Sequence, residues 1–256
     1  MRHIKSISIG LAQWSLQNKK YRELYLLIHI KKNSSGVFHK SCLDNIFKSS
    51  EIKTKKTFYK RLHNLIDLGL IAYNEKTGWY KVLSFKRITR LLDCTTKEAV
   101  IISPDINLAN FQSFLFASIK TNAIRKSKYF YTRHKDGQRI ARDTGVSTAF
   151  EFFDPDLRKR RRYFTISMSK MANKLGISRQ RANKLKLQAD KNRFIECFEH
   201  RVYLGVVSSQ ACRHKHLMDY KWYVEFEKSK DKKIRAYRIM PDEVLSNLQI
   251  KRKMFF

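Results

Sequence analysis

Two stretches of the chain carry apolar residues at the three-and-four spacing of amphipathic helices, and each leads into the two-residue alternation of strands. In SMSKMANKLGISRQRANKLKLQADKNRFIE, residues 167–196, Met171, Ala172 and Leu175 form one apolar run and Ala182 and Leu185 the next, with Leu-Gly-Ile-Ser between. That pattern predicts helix, tight turn, helix. Ala172 is small enough to let a second helix cross closely, Gly176 suits the left-handed conformation that ends a helix, and Ser178 suits the cap of the helix that follows. Beyond it, RFIECFEHRVYLGVVS predicts two short strands, Phe194 to Phe198 and Val202 to Val207, joined by a tight polar turn.

The same order occurs upstream. YRELYLLIHIKK reads as an apolar helix, SCLDNIFKSS as a short second helix, TKKTFYKRLHNLIDLGLI as a capped third helix, and AYNEKTGWYKVLS as a hairpin with a glycine in its turn. Aligning the two copies pairs Thr54 with Ser178 and Phe58 with Ala182. NLANFQSFLFASIKTNAIRKS supplies the first helix of the downstream copy, and CTTKEAVIISPDIN, with Pro104 and its polar residues, reads as the linker. After the second copy, KWYVEFEKSKDKKIRAYRIM predicts a hairpin and PDEVLSNLQIKRK a short helix starting near Pro241.

The segment from Ala172 through Gly176 and Ile177 to the apolar pair of the next helix resembles the helix-turn-helix family over about 20 residues. Ala182 departs from that pattern, which more often has a branched residue there. With a hairpin as wing, each copy resembles a winged helix, so the expected class is α+β with two winged-helix domains in tandem. The expected boundaries are 1–93 for the first domain, 94–107 for the linker, and 108–256 for the second. The second would carry a basic insertion at about 127–163 and a C-terminal hairpin and helix.

The resemblance implies that the second helix of each motif enters the major groove N-terminus first. In the downstream copy this sets Ser178 at the cap, Arg179, Gln180 and Asn183 toward base edges, and Arg181 and Lys184 toward phosphate or base. In the upstream copy the same positions hold Lys55, Lys56, Tyr59 and Lys60. Lysine is a point charge where arginine can be bidentate, so the first copy is expected to grip the backbone and the second to read sequence. Arg201, at the expected wing turn, is the phosphate contact that the resemblance implies. The alternative for the downstream segment is a plain helical hairpin.

Charge separates these alternatives. The 256 residues include 54 Lys and Arg against 22 Asp and Glu, a net charge of +32, which makes polyanions the natural partners. With 43 % hydrophobic and 12 % aromatic residues, the chain is a folded basic protein and not a disordered polycation. The insertion contains Asp136-Gly137, a hairpin-turn signal, and five consecutive basic residues from Arg158 to Arg162, of which Arg158, Arg160 and Arg161 are expected on phosphate. The alternative there is a solvated loop.

Other chemistry finds less support. No stretch approaches the roughly 18 apolar residues of a membrane span, and the N-terminus lacks the pattern of a signal peptide. Cys42, Cys94, Cys197 and Cys212 stand apart without paired spacing, as in reduced thiols, so a cytoplasmic location is expected, in a bacterial nucleoid or a phage-infected cell. Cys197, His200, Cys212, His214 and His216 match no common structural-zinc spacing, and no metal or other cofactor is expected. His214-Lys215-His216, with Tyr220 and Tyr223 nearby, is similar to the paired histidines of rolling-circle nicking enzymes, but Lys215 stands where that family has a bulky apolar residue. No G-x-x-x-x-G-K loop occurs.

In architecture the tandem arrangement resembles the winged-helix replication initiators of plasmids and some phages. That resemblance implies a non-enzymatic, sequence-specific protein, monomer or homodimer, that binds double-stranded DNA at origin repeats and recruits host replication proteins. A transcription regulator with the same modules is the alternative, and a nicking enzyme a third.

Overall fold

The computed structural model describes residues 6–133, 166–207, 224–228 and 234–252. They form a mixed α+β structure of helices and small antiparallel sheets. The chain divides into two compact units, one of Met1–Ser127, Ser169–Ile195 and Ser246–Phe256, the other of Lys128–Met168 and Glu196–Leu245.

The first unit begins with β1 (Ser6–Ser8) and α1 (Ile9–Gln17), followed by α2 (Tyr21–Asn33), β2 (Val37–His39), a 3-10 turn at Lys40–Cys42, α3 (Leu43–Ser49) and α4 (Lys55–Asp67). Then come β3 (Ile71–Asn74), β4 (Trp79–Val82), α5 (Phe85–Leu91) and β5 (Glu98–Ile101). The helices and hairpin expected between Tyr21 and Val82 are all present. β2 joins the hairpin to give the sheet order β2-β4-β3. Alternation sends Phe38 and Tyr80 inward, where their rings stack at 5.0 Å, and leaves Val37 and Trp79 outside.

The hairpin turn has a local cause. Asn74 accepts bonds from the backbone N–H of Lys76 and Thr77, at 3.1 and 3.3 Å, and Gly78 takes φ 68, which a residue with a Cβ resists.

Residues 94–107 are not a bare linker. β5 lies within them and pairs antiparallel with β1 on one side and with β9 (Ile250–Arg252) on the other. The start, middle and end of the chain thus share one sheet. Gly10 is fixed by this arrangement: its N–H donates to Thr96 Oγ1 at 3.1 Å, and a Cβ there would overlap the Cys94 carbonyl oxygen.

α6 (Phe111–Arg133) follows. From Ser113 to Asn122 it is buried on nearly all sides, and its residues there are apolar or small over most of its circumference, as such a position requires. Phe111 meets the Tyr25 ring edge-on at 5.3 Å, tying α6 to α2. Phe114 meets Phe194 at 5.6 Å, and Ser113 Oγ accepts from Asn192 Nδ2 at 2.9 Å, tying α6 to the chain that leaves α8 (Arg179–Lys191). α7 (Met168–Leu175) precedes α8, and its Lys174 carbonyl accepts from Gln13 and Gln17 of α1, at 3.3 and 2.9 Å.

Two expectations fail downstream. After α8 a single strand, β6 (Ile195–Val207), runs through the residues expected to turn. At the places of Asn74 and Gly78 the second copy has Phe198 and Val202, so neither the side-chain acceptor nor the left-handed residue of the first turn is present. Arg201 therefore lies within a strand, not at a wing tip. β7 (Val224–Lys228) and β8 (Ile234–Ser246), the two strands expected there, pair antiparallel in a sheet ordered β6-β8-β7. The terminal helix does not form: β8 continues through Pro241, and β9 follows. Among the described residues β7 pairs with β8 from Ile234 to Arg238.

Candidate nucleic-acid interface

α4 and α8 are built alike. Each has 13 residues. The Thr54 hydroxyl accepts from the backbone N–H of Thr57 at 3.3 Å, and the Ser178 hydroxyl from that of Arg181 at 3.2 Å, so each caps its helix through the third residue on. At the other end Gly69 and Arg193 take φ 67 and 57. Leu70 N–H bonds to Leu65 C=O at 2.9 Å and Phe194 N–H to Ala189 C=O at 3.0 Å, closing both helices in the same way. The two copies keep a constant offset of 124 residues (178 − 54 and 193 − 69) from the cap to the first strand residue, Ile71 and Ile195.

The preceding turns also correspond. α3 is followed by Glu51 with φ 57, and α7 by Gly176 with φ 60. Glycine takes that conformation freely, whereas Glu51 is held in it: its carboxylate accepts from Leu108 N–H at 2.8 Å and from the Tyr25 hydroxyl. Burial and the Glu51 charge push the Tyr25 phenol above its ordinary range, so it stays a donor. The segment downstream of Gly176 is one residue shorter than that after Glu51.

Each helix buries one side. Phe58, Arg61 and Leu65 face inward on α4, and Ala182, Leu185 and Ala189 at the same three positions on α8. Ala182 is fully buried, as its bulkier counterpart Phe58 is, with less side chain between helix and core.

The outward faces hold the residues expected there. Lys55, Lys56, Tyr59 and Lys60 are exposed on α4, and Ser178, Arg179, Gln180, Arg181, Asn183 and Lys184 on or before α8. Lys55 is engaged, with its ammonium 2.8 Å from Asp44 of α3. That contact holds the Asp44 carboxyl below its usual range and lifts the Lys55 ammonium above its own. The sequence reading missed this partner. It also missed Leu187, which is 57 % exposed one turn beyond Asn183 on the same face, opposite the buried stripe. Carrying the 124-residue alignment one turn further would have found it beside His63.

Cations also gather where α6 and α7 meet. Burial, then Lys126 and Lys170, push the Lys174 ammonium below the ordinary lysine range, and Glu98, 3.3 Å from Lys126, offsets this only in part. Arg158, Arg160 and Arg161, the Asp136-Gly137 turn, and His214, His216, Tyr220 and Tyr223 lie outside the described residues, as do the side chains of Arg201 and His200. Among the described residues no helix is long and apolar enough to cross a membrane. Compared with family models, with curated proteins and with solved structures, the chain matches none, and its functional reading rests on its own geometry.

Proposed function

We propose that this chain is a non-enzymatic, sequence-specific protein that binds double-stranded DNA through α4 and α8, and that it serves as a replication initiator on repeats at an origin. The observation that carries this reading is the repeated helix, left-handed turn and capped helix, with a basic or base-reading outward face each time, in a chain of net charge +32. The first copy fits a winged helix, since α2, α3 and α4 accompany a sheet ordered β2-β4-β3 whose hairpin is the wing. The second copy keeps the helix-turn-helix and replaces the wing with the long strand β6.

A flexible tether between the copies does not enter this reading. α6 packs on α2 and on the end of α8, and α1 holds α7 through two glutamines, so both helices would present to DNA from one compact unit. Host replication proteins would be the further partners of an initiator.

The test is duplex binding as a function of salt. Six or more neutralised phosphates give a slope of log K against log [salt] of about −5 or steeper. A flat dependence would overturn the nucleic-acid reading. Footprints on DNA flanking the gene then sort its use: direct repeats support an initiator, and a single operator over a promoter supports a transcription regulator instead.

A further inference from the structure

We propose that Leu187 reads DNA directly, packing on the 5-methyl group of thymine, so that with Gln180 and Asn183 the outward face of α8 selects A·T pairs. This rests on the DNA-binding reading above.

A single exposed leucine means little by itself. Its position gives it meaning. Gln180, Asn183 and Leu187 follow one another at helical spacing on one stripe, directly opposite buried Ala182, Leu185 and Ala189. From Gln180 to Leu187 the helix rises about 10 Å, the length of about three base pairs.

The first copy supplies an internal comparison. At these three positions α4 has Lys56, Tyr59 and His63, whereas Lys55 and Lys60 at the margins correspond to Arg179 and Lys184, which are basic too. The margins are basic in both copies, whereas Lys56 of the centre has neutral Gln180 as its counterpart. A stripe with no charge neutralises no phosphate and releases no counterion, and its members fit adenine and thymine. Glutamine and asparagine can pair with adenine N6 and N7, and a leucine fits the one apolar group that the major groove exposes, the thymine methyl. The flanking Lys184 and Lys191, both exposed, complement a polyanion and disfavour an apolar protein partner on this stripe.

The experiment uses the full chain. A duplex is first enriched from a randomised library, and each thymine in it is then replaced singly by deoxyuridine, which pairs identically but lacks the methyl. The expected result is a loss of about fourfold at one or two positions, the value of one buried methyl group. Leu187→Ala should bind the thymine and uracil forms at those positions equally, while melting as the parent does because the side chain is exposed. Enrichment without any uracil effect, or discrimination unchanged in Leu187→Ala, would overturn the inference and leave DNA binding standing. A Leu187→Ala variant altered in sedimentation but not in base preference would also overturn it, placing the leucine at a protein contact. Failure to enrich any duplex would overturn the DNA reading and this inference together.

Discussion

Replacing Asp44 by asparagine should strengthen DNA binding, although the residue belongs to no expected contact. Asp44 stands in the first turn of α3, and its carboxylate lies 2.8 Å from the Lys55 ammonium at the start of α4. Both side chains are more than half exposed, so the pair contributes little to folding and the substitution should leave thermal unfolding nearly unchanged. On DNA the effect is larger, because Asp44 neutralises the lysine nearest the cap of α4 and sets a negative charge toward the phosphates. Releasing one lysine to neutralise one phosphate steepens the slope of log K against log [salt] by about 0.9. Over a fourfold change in salt, from about 50 to about 200 mM, that is an additional loss of about 3.5-fold, seen as tighter binding at the low end. Fluorescence anisotropy with a labelled duplex measures both quantities. Lys56→Ala is the opposing control, expected to flatten the slope by a similar amount and to weaken specific and non-specific binding alike. If Asp44→Asn bound more weakly than the parent, or with the same slope, the start of α4 would not face phosphate.

Two further outcomes concern the frame. Gly10→Ala sets a Cβ against the Cys94 carbonyl, which is backbone and yields poorly, so the urea midpoint should fall by the equivalent of about 1–3 kcal/mol; an unchanged midpoint would mean that α1 does not abut this segment. His29, bonded to Ser49 Oγ at 2.9 Å, has its imidazole held below the ordinary value of 6.5, first by burial and then by Lys32. Its neutral form is favoured by folding, so its contribution is present above 6.5 and is lost as pH falls through the lower folded value. Denaturant titrations from neutral pH to about pH 5 should therefore show stability declining on the acid side, and less so in His29→Gln; equal declines would assign the loss elsewhere.

The two helical motifs were legible because their signals are local. Thr54 and Ser178 cap as their residue types suggest, and the apolar spacing picked out the buried sides of α4 and α8. The wing after α8 failed for a reason also written locally. Phe198 and Val202 stand where Asn74 and Gly78 turn the first hairpin, and a tight turn was expected from the polar residues between them alone. The terminal helix failed because proline suits the first turn of a helix and is also tolerated in a strand where its missing N–H removes no ladder bond, a choice that local sequence does not make. The sheet of β1, β5 and β9 joins residues about 90 and 150 positions apart, which no window of sequence contains. Asp44 escaped for a similar reason. Its partner is on another helix, and spacing along one helix does not reveal it.

The most direct measurement is binding-site selection with the parent chain, Arg179→Ala and Gln180→Ala side by side. Each residue is exposed in the first turn of α8 and can make paired hydrogen bonds to a base edge, worth roughly 1–3 kcal/mol of discrimination. Each variant should lose preference at one or two base pairs and keep it elsewhere. Affinity for unrelated duplex should fall more for Arg179→Ala, which also loses a charge, than for Gln180→Ala. If both variants fold and retain the parent's preference at every position, α8 does not read DNA, and the segment from Ser167 to Glu196 is a helical hairpin with a basic surface.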